Sequence, residues 1–419
     1  MDSEAYLDSL EPIGWKLGLD RMHRLTTMLG MPQHRFASIH VVGTNGKSSV
    51  TRMISALLEA HGVSTGACVS PHASHWSERT LVHGEEIAAP QFAAAVERVA
   101  QAAAVVNRSL EEGEAVTQFE AATAASFVAL AAARVQTGVI EAGLGGRLDA
   151  TNTIPSRVTV LTSVGLDHTE WLGESEAEIA AEKLAVLRDH STLVLGQVSP
   201  EVEALAEEAA RERGAELIRA PRDPGPDLRP RAPGEFQRRN FALAMAGVEA
   251  FLGELDPERV AAVAASLTIP GRLERIAAEP PTYIDAAHNP DGAAALAEAL
   301  PEVAGESPVI VCLAVLADKD AAAMIRALAP AIAGVVCTEI PTSNDGSGVP
   351  DGQASPAPRP AVPAAELARL CEAEGLTAAA EPRFDVALAH ARELASGTPG
   401  GVLLVTGSHY VLAPARIRS

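Results

Sequence analysis

The chain has 419 residues, 33 Lys+Arg against 54 Asp+Glu, and a formal net charge of −21. At roughly 100–200 residues per domain, that length implies two or three domains with sizeable cores. The hydrophobic fraction of 47% and charged fraction of 21% are globular rather than disordered, and so acidic a balance argues against nucleic-acid binding, which needs a basic face, although a local cluster can still attract an anionic substrate.

The opening stretch MDSEAYLDSLEPIGW is acidic and has neither a basic nor an apolar leader segment, so it is not expected to be a signal peptide. No apolar run reaches the roughly 20 residues needed to cross a bilayer. Residues 37–62 then read as strand, loop and helix: ASIHVV is a β-branched run, GTNGKSS is turn chemistry, and Val50, Met53, Ile54, Leu57 and Leu58 recur at helical spacing. TGACVS (65–70) predicts a second strand, and 90–106 and 119–135 predict alanine-rich helices. Strands follow at VQTGVIEAG (135–143), RVTVLTSVG (157–165) and STLVLG (191–196), with a helix over 176–188 between the last two. The alternation predicts a doubly wound, mainly parallel sheet with helices on both faces.

A proline- and glycine-rich break falls near 220–235, and a helix is expected at 236–252. PTYIDAAHNP (281–290) is a strand passing directly into a helix, with Asn289 suited to the N-cap and Pro290 to the first helical position. SPVIVCLAV, AGVVCTEI and GGVLLVTGS supply three more strands of a smaller, Rossmann-like α/β domain. The expected division is 1–272 and 273–419. The stretch 341–363 holds six prolines and reads as a mobile surface loop.

Cys68, Cys312, Cys337 and Cys371 have neither C-x-x-C nor metal-ligand spacing, so they read as buried, reduced thiols of a cytoplasmic protein. Of the 33 basic residues only Lys16, Lys47, Lys183 and Lys319 are lysine, which leaves 29 arginines. A lysine that persists in such a chain points to a place needing a compact point charge or an amine able to lose its proton.

Gly43-Thr44-Asn45-Gly46-Lys47-Ser48-Ser49 lies between a strand and a helix, where backbone N–H groups and the positive helix end converge as a phosphate site. Lys47 would reach the β/γ-phosphates, and Ser48 or Ser49 would face Mg²⁺. The full G-x-x-x-x-G-K-[ST] pattern fails at Val41, and the shorter G-x-x-G-K-S holds. Glu141 ends an apolar strand, at the sheet edge that lines the ligand crevice, as an Mg²⁺ ligand or an orienter of one. Asp167 and His168 follow the next strand in the same way, which predicts that His168 lies beside Glu141. Lys183 sits on an apolar helix, either as a lysine whose stem covers the core or as a functional amine. Asp285, His288 and the run Asp318-Lys319-Asp320 put polar groups at strand ends of the second domain.

GTNGKSS, SPH (70–72), EAGLGGRLDATN (141–152), LDHTEWLG (166–173), EK (182–183), PGR (270–272) and DAAHNP (285–290) resemble, in order and spacing, the folylpolyglutamate synthase/dihydrofolate synthase branch of the Mur ligase superfamily. The likeness runs from GLDRMHRL (18–25) to TGSHY (406–410); Ser48 departs from the usual glycine, and 341–363 looks like an insertion. The resemblance implies transfer of the ATP γ-phosphate to a carboxylate of a reduced folate or dihydropteroate, then attack on the acyl phosphate by the amine of L-glutamate. It implies Mg²⁺ at two sites, one held through Ser70 and Glu141 and a second involving His168. It further implies that Lys183 is carbamylated, a modification arginine cannot undergo. Asn240 and Arg272 would hold ATP from the far side. Asp285 and His288 would belong to the second-domain face turned to nucleotide and glutamate. Candidate substrate contacts are Arg79, Phe119, Arg147, Asp149, His288 and Ser408, and candidate catalytic residues are Lys47, Lys183, His168 and His288. The partners implied are small molecules only, with no nucleic acid and no membrane, for a monomeric enzyme. Two other readings are a Mur-type ligase for UDP-linked muropeptides and a P-loop NTPase switch without ligase chemistry. LGGRLDATN argues against the first, and a requirement for both co-substrates would eliminate the second.

Overall fold

β-Branched and aliphatic runs in the first half of the chain build an eight-stranded sheet. The computed structural model describes residues 2–10, 18–341 and 360–417. Its first strands are β1 (Ala37–Val42), β2 (Thr65–Cys68), β3 (Thr80–Val82) and β4 (Glu85–Glu86). They are followed by β5 (Thr137–Glu141), β6 (Val158–Leu161), β7 (Thr192–Leu195) and β8 (Glu216–Arg219). The spatial order is β4-β3-β2-β5-β1-β6-β7-β8, parallel throughout except at the β3 and β4 edge.

Neighbouring residues of β6 show that both faces are covered, as alternation along a strand requires. Val160 lies under helix Glu235–Leu252, where a side chain at Gly247 would meet Val160 and Ile54. Leu161 points the other way, into a cluster with Leu184, Val202 and Ala206 from the helices Glu176–Leu184 and Pro200–Arg213. Helix Gln118–Ala133 is buried along most of its length, its Phe127 and Leu130 packed in a cluster with Phe36, Cys68 and Ile140. The helix expected over 176–188 ends at Leu184. Beyond it Val186 and Leu187 still pack in the core, so the apolar pattern outlasts the helix.

The second sheet holds β9 (Glu274–Ala278), β10 (Pro281–Ile284), β11 (Val309–Leu313), β12 (Gly334–Cys337), β13 (Ala378–Ala380) and β14 (Val402–Thr406). Its order is β13-β12-β11-β14-β10-β9, with only β9 antiparallel. Asn289 caps helix Pro290–Ala304 by accepting from the Gly292 N–H, with Pro290 in the first turn as the sequence predicts. The chain divides into two compact units. The first carries the eight-stranded sheet and residues 238–267; the second takes residues 231–237 and everything from Thr268 onward.

All four cysteines are buried free thiols. Among the described residues no helix is long and apolar enough to cross a membrane. Of the proline-rich stretch, residues 342–359 lie outside the described residues. Its described end forms an isolated antiparallel bridge with the segment that follows β11, where the Ala317 N–H donates to Pro360 O (2.9 Å) and the Val362 N–H to Val315 O (2.9 Å).

Candidate active site

Register places three strand ends side by side, with Val41 opposite Glu141 across β1 and β5, and Val42 opposite Leu161 across β1 and β6. The loop Gly43–Gly46 leaves the central strand and enters helix Lys47–Ala60. Gly46 caps that helix at φ +85°, and a Cβ there would stand 2.7 Å from the Asn240 side-chain oxygen. At Gly43 a Cβ would stand 1.9 Å from Thr162 Oγ1. Both positions therefore require glycine. The loop is clamped by the exit of β6: the Thr44 N–H donates to Ser163 O (2.8 Å), the Asn45 N–H to Ser163 Oγ (3.0 Å), and Thr162 Oγ1 to Asn45 O (2.6 Å). In the sequence Thr162 and Ser163 fall inside the expected strand RVTVLTSVG and carry no assigned role. The signal was two hydroxyls immediately past an apolar run.

Two lysines converge on one carbonyl. Lys47 Nζ donates to Gly43 O and Thr44 O, both at 3.1 Å, while Lys183 Nζ donates to Gly43 O at 2.9 Å. The two nitrogens therefore lie at most 6.0 Å apart (2.9 + 3.1). Lys183 is 3% exposed. Burial, reinforced by the Lys47 charge, lowers its pKa from 10.5 to about 7. Near neutrality this amine is therefore substantially unprotonated, unlike an ordinary lysine.

Glu141 stands across the loop. Its carboxylate accepts from Ser48 Oγ (2.8 Å) and the Ser70 N–H (2.9 Å), and the Ser70 carbonyl accepts from Ser48 Oγ (3.2 Å). Ser48 is thus the hydroxyl brought to the carboxylate, while Ser49 is buried in the helix. Among the described residues no three His, Cys, Asp or Glu side chains gather as a metal cage. One carboxylate beside a hydroxyl at a phosphate loop is the donor set Mg²⁺ favours when nucleotide oxygens and water complete its shell.

One expectation needs correction. His168 does not leave a strand adjacent to that of Glu141, because β1 lies between β5 and β6. It sits at φ +53° at the start of helix Thr169–Leu172, partly exposed, with Nε2 3.9 Å from Asp167 Oδ1.

The loop after β5 is braced internally. The buried Asp149 carboxylate accepts from the Leu144 N–H (2.8 Å) and the Thr151 N–H (2.9 Å), and burial raises its pKa. Arg147 is half exposed and donates to Glu182 (2.8 Å). Phe119 is buried under Gly143, where a Cβ would meet its ring at 2.4 Å. Arg79 donates to His72 Nδ1 (2.8 Å) and stacks over Trp76, 4.3 Å from the ring centre.

In the second unit, Asp285 follows β10 and is buried. Its carboxylate accepts from the Leu273 N–H (2.9 Å) and the Ala287 N–H (2.8 Å). Burial raises its pKa, opposed by the nearby charges of Arg272 and His288. His288 Nδ1 donates to Ala286 O (2.9 Å), which fixes its tautomer when the ring is neutral. Ser408, past the end of β14, is buried and its hydroxyl accepts from the Tyr410 N–H. Lys319 keeps its stem buried beside Asp318, and Asp320 caps the following helix.

Comparison with known proteins matches two family models, the Mur ligase middle domain at residues 41–219 and the Mur ligase glutamate ligase domain at 271–409. The dihydrofolate synthase/folylpolyglutamate synthase of Mycobacterium tuberculosis is 36% identical over 358 residues, covering 76% of this chain and 74% of that protein. The structure of M. tuberculosis folylpolyglutamate synthase complexed with ADP superposes with a TM-score of 0.87 at 32% identity, covering 99% of this chain and 96% of that one. That of the bifunctional folylpolyglutamate synthase/dihydrofolate synthase of Yersinia pestis, complexed with AMPPNP and Mn ion, gives 0.81 at 26% identity, covering 98% and 95%.

Proposed function

The chain belongs to the folylpolyglutamate synthase/dihydrofolate synthase family of Mur ligases, and from that premise we propose that it is an ATP-dependent ligase adding L-glutamate to reduced folates, and also to dihydropteroate. The observation that carries this reading is the convergence of the glycine loop, Lys47, Lys183 and the Ser48–Glu141 pair at the ends of β1 and β5.

The loop N–H groups and the first turn of helix Lys47–Ala60 cradle the nucleotide phosphates. Lys47 exchanges the carbonyls of Gly43 and Thr44 for β/γ-phosphate oxygens, because charge-assisted contacts to phosphate are the stronger ones. Asn240, whose oxygen stands over Gly46, supports the loop from behind. Asn240, Arg272 and Asp285 are assigned to the nucleotide. Mg²⁺ fits the Glu141, Ser48 and Ser70 corner, and there it would supply neutralisation of charge on the transferring phosphoryl group. A second ion would fall to His168 and a modified Lys183.

The lowered basicity of the amine supports the modification. A neutral Lys183 nitrogen attacks CO₂, an N–C bond forms, one proton is released, and a carbamate anion remains. Ligation itself breaks the γ-phosphate bond of ATP, joins that phosphorus to an oxygen of the folate carboxylate, and then expels phosphate as the glutamate nitrogen bonds to the carbonyl carbon. In-line positioning and charge neutralisation carry most of the acceleration. Arg147, Asp149, Phe119 and Arg79 are assigned to the pterin substrate, and His288 and Ser408 to glutamate; the expected boundary at 272/273 falls five residues beyond the start of the second unit's main segment at Thr268.

The test is ADP release with ATP and L-glutamate plus either tetrahydrofolate or dihydropteroate. Release that requires both the pterin substrate and glutamate supports the reading. ADP release independent of either co-substrate would contradict it. Inactivity with dihydropteroate alone would restrict the enzyme to glutamate extension.

A further inference from the structure

The loop Gly143–Thr153 is held from beneath by side chains that the reaction itself does not use. His40 lies in the middle of β1, fully buried, with Nε2 2.8 Å from Thr151 Oγ1. Thr151 Oγ1 in turn donates to Asp149 Oδ1 at 2.5 Å. The Asp149 carboxylate also receives the Leu144, Thr151 and Gly143 N–H groups, so it acts here as an acceptor throughout. The Thr151 proton is committed to Asp149. His40 Nε2 must therefore carry the hydrogen it shares with Thr151, which leaves Nδ1 as the bare nitrogen. Nδ1 is also the ring atom that is buried with no hydrogen-bond partner. The tautomer is thus set by the hydrogen bond at the other nitrogen, and the chain His40 to Thr151 to Asp149 runs in one direction.

A second brace comes from Arg188. Its guanidinium donates to Asn152 O (2.6 Å), Asn152 Oδ1 (2.8 Å) and Ile154 O (3.1 Å). Asn152 Nδ2 passes the contact on to Arg147 O (2.8 Å). Two supports, one fully buried at His40 and one partly buried at Arg188, therefore end on the two residues of this loop assigned to the substrate, Arg147 and Asp149.

We infer that His40, Thr151 and Arg188 are positioning residues that hold the Gly143–Thr153 loop in the geometry that binds the pterin substrate, an inference that rests on the loop role proposed above. Their loss acts on the pterin site and not on the phosphate loop, whose clamps come from Thr162 and Ser163.

The experiment measures KM for tetrahydrofolate and Kd for ADP in the full-length protein. Thr151→Val keeps the side-chain volume and removes the relay hydroxyl. It should raise the folate KM about tenfold, the order expected for one hydrogen bond to a charged group, with ADP affinity within twofold of wild type. Thr151→Ser should restore the folate KM. Arg188→Lys keeps the charge but cannot bridge three acceptors, so it should also raise the folate KM about tenfold. It supplies the reading if Thr151→Val loses its fold. A folate KM that stays within twofold of wild type in these variants overturns the inference, and so does an equal loss of folate and ADP affinity. A wild-type protein with no folate-dependent turnover overturns the functional reading instead.

Discussion

Replacing Lys183 by methionine removes the buried amine that donates to Gly43 O while nearly keeping its length. Folding takes this group from a pKa of 10.5 to about 7. At about 1.36 kcal/mol per pKa unit, burying its charged form costs on the order of 5 kcal/mol. The sign follows from proton counts. Between pH 7 and 10.5 the unfolded chain binds this proton and the folded chain does not, so stability rises with pH there. Below pH 7 both states are protonated and the full cost remains; above pH 10.5 there is none. Lys183→Met escapes this cost and gives up only the hydrogen bond to Gly43 O, worth about 1 kcal/mol. The variant should therefore be more stable than wild type by about 4 kcal/mol at pH 6. That advantage should shrink by about 1.4 kcal/mol per pH unit above 7 and be gone near pH 10. Urea unfolding of both proteins at several pH values, in CO₂-free buffer without nucleotide, reads the difference directly. Parallel stability curves for the two proteins would refute the reasoning.

Glu141→Gln should raise the Mg²⁺ concentration needed for half-maximal ligase activity, because an amide is a poorer ligand for a hard cation; an unchanged titration would remove Glu141 from the metal site. Lys183→Arg should lose at least 10²-fold in kcat although arginine is the residue nearest lysine in length, because arginine stays cationic and cannot form a carbamate. An active Lys183→Arg enzyme would exclude the modification from the mechanism. Gly46→Ala, forced to φ +85° against Asn240, should weaken ADP binding at least tenfold by calorimetry. Wild-type ADP affinity in that variant would show that the loop can shift without cost.

The phosphate loop was legible because its turn chemistry sits between two strongly patterned elements, the apolar run Ala37–Val42 and the amphipathic helix behind it. Glu141 was legible as a carboxylate at the end of an otherwise apolar strand. The lysine census pointed to Lys183, but only the fold shows why its pKa falls, since Gly43 lies 140 residues away. The edge strands β4, β8 and β13 escaped notice because Glu85–Glu86, Glu216–Arg219 and Ala378–Ala380 have little apolar alternation to read. Strand order is set by tertiary pairing, so the place of β1 between β5 and β6, which keeps His168 from a strand neighbouring that of Glu141, was not readable from chain order. His40 looked like one polar residue in a strand, and Arg188 like one arginine among 29. Their meaning lies entirely in contacts 111 and 36 residues distant.

Transfer of an oxygen atom tests the acyl-phosphate route most directly. Tetrahydrofolate labelled with ¹⁸O in its glutamyl carboxylates is incubated with enzyme, ATP, Mg²⁺ and L-glutamate, and the released phosphate is analysed by mass spectrometry. The carboxylate oxygen that accepts phosphorus leaves with it when the amine attacks. One ¹⁸O per phosphate, matched by one glutamate added to the folate, is the predicted result. Unlabelled phosphate released alongside glutamylated folate would contradict the account.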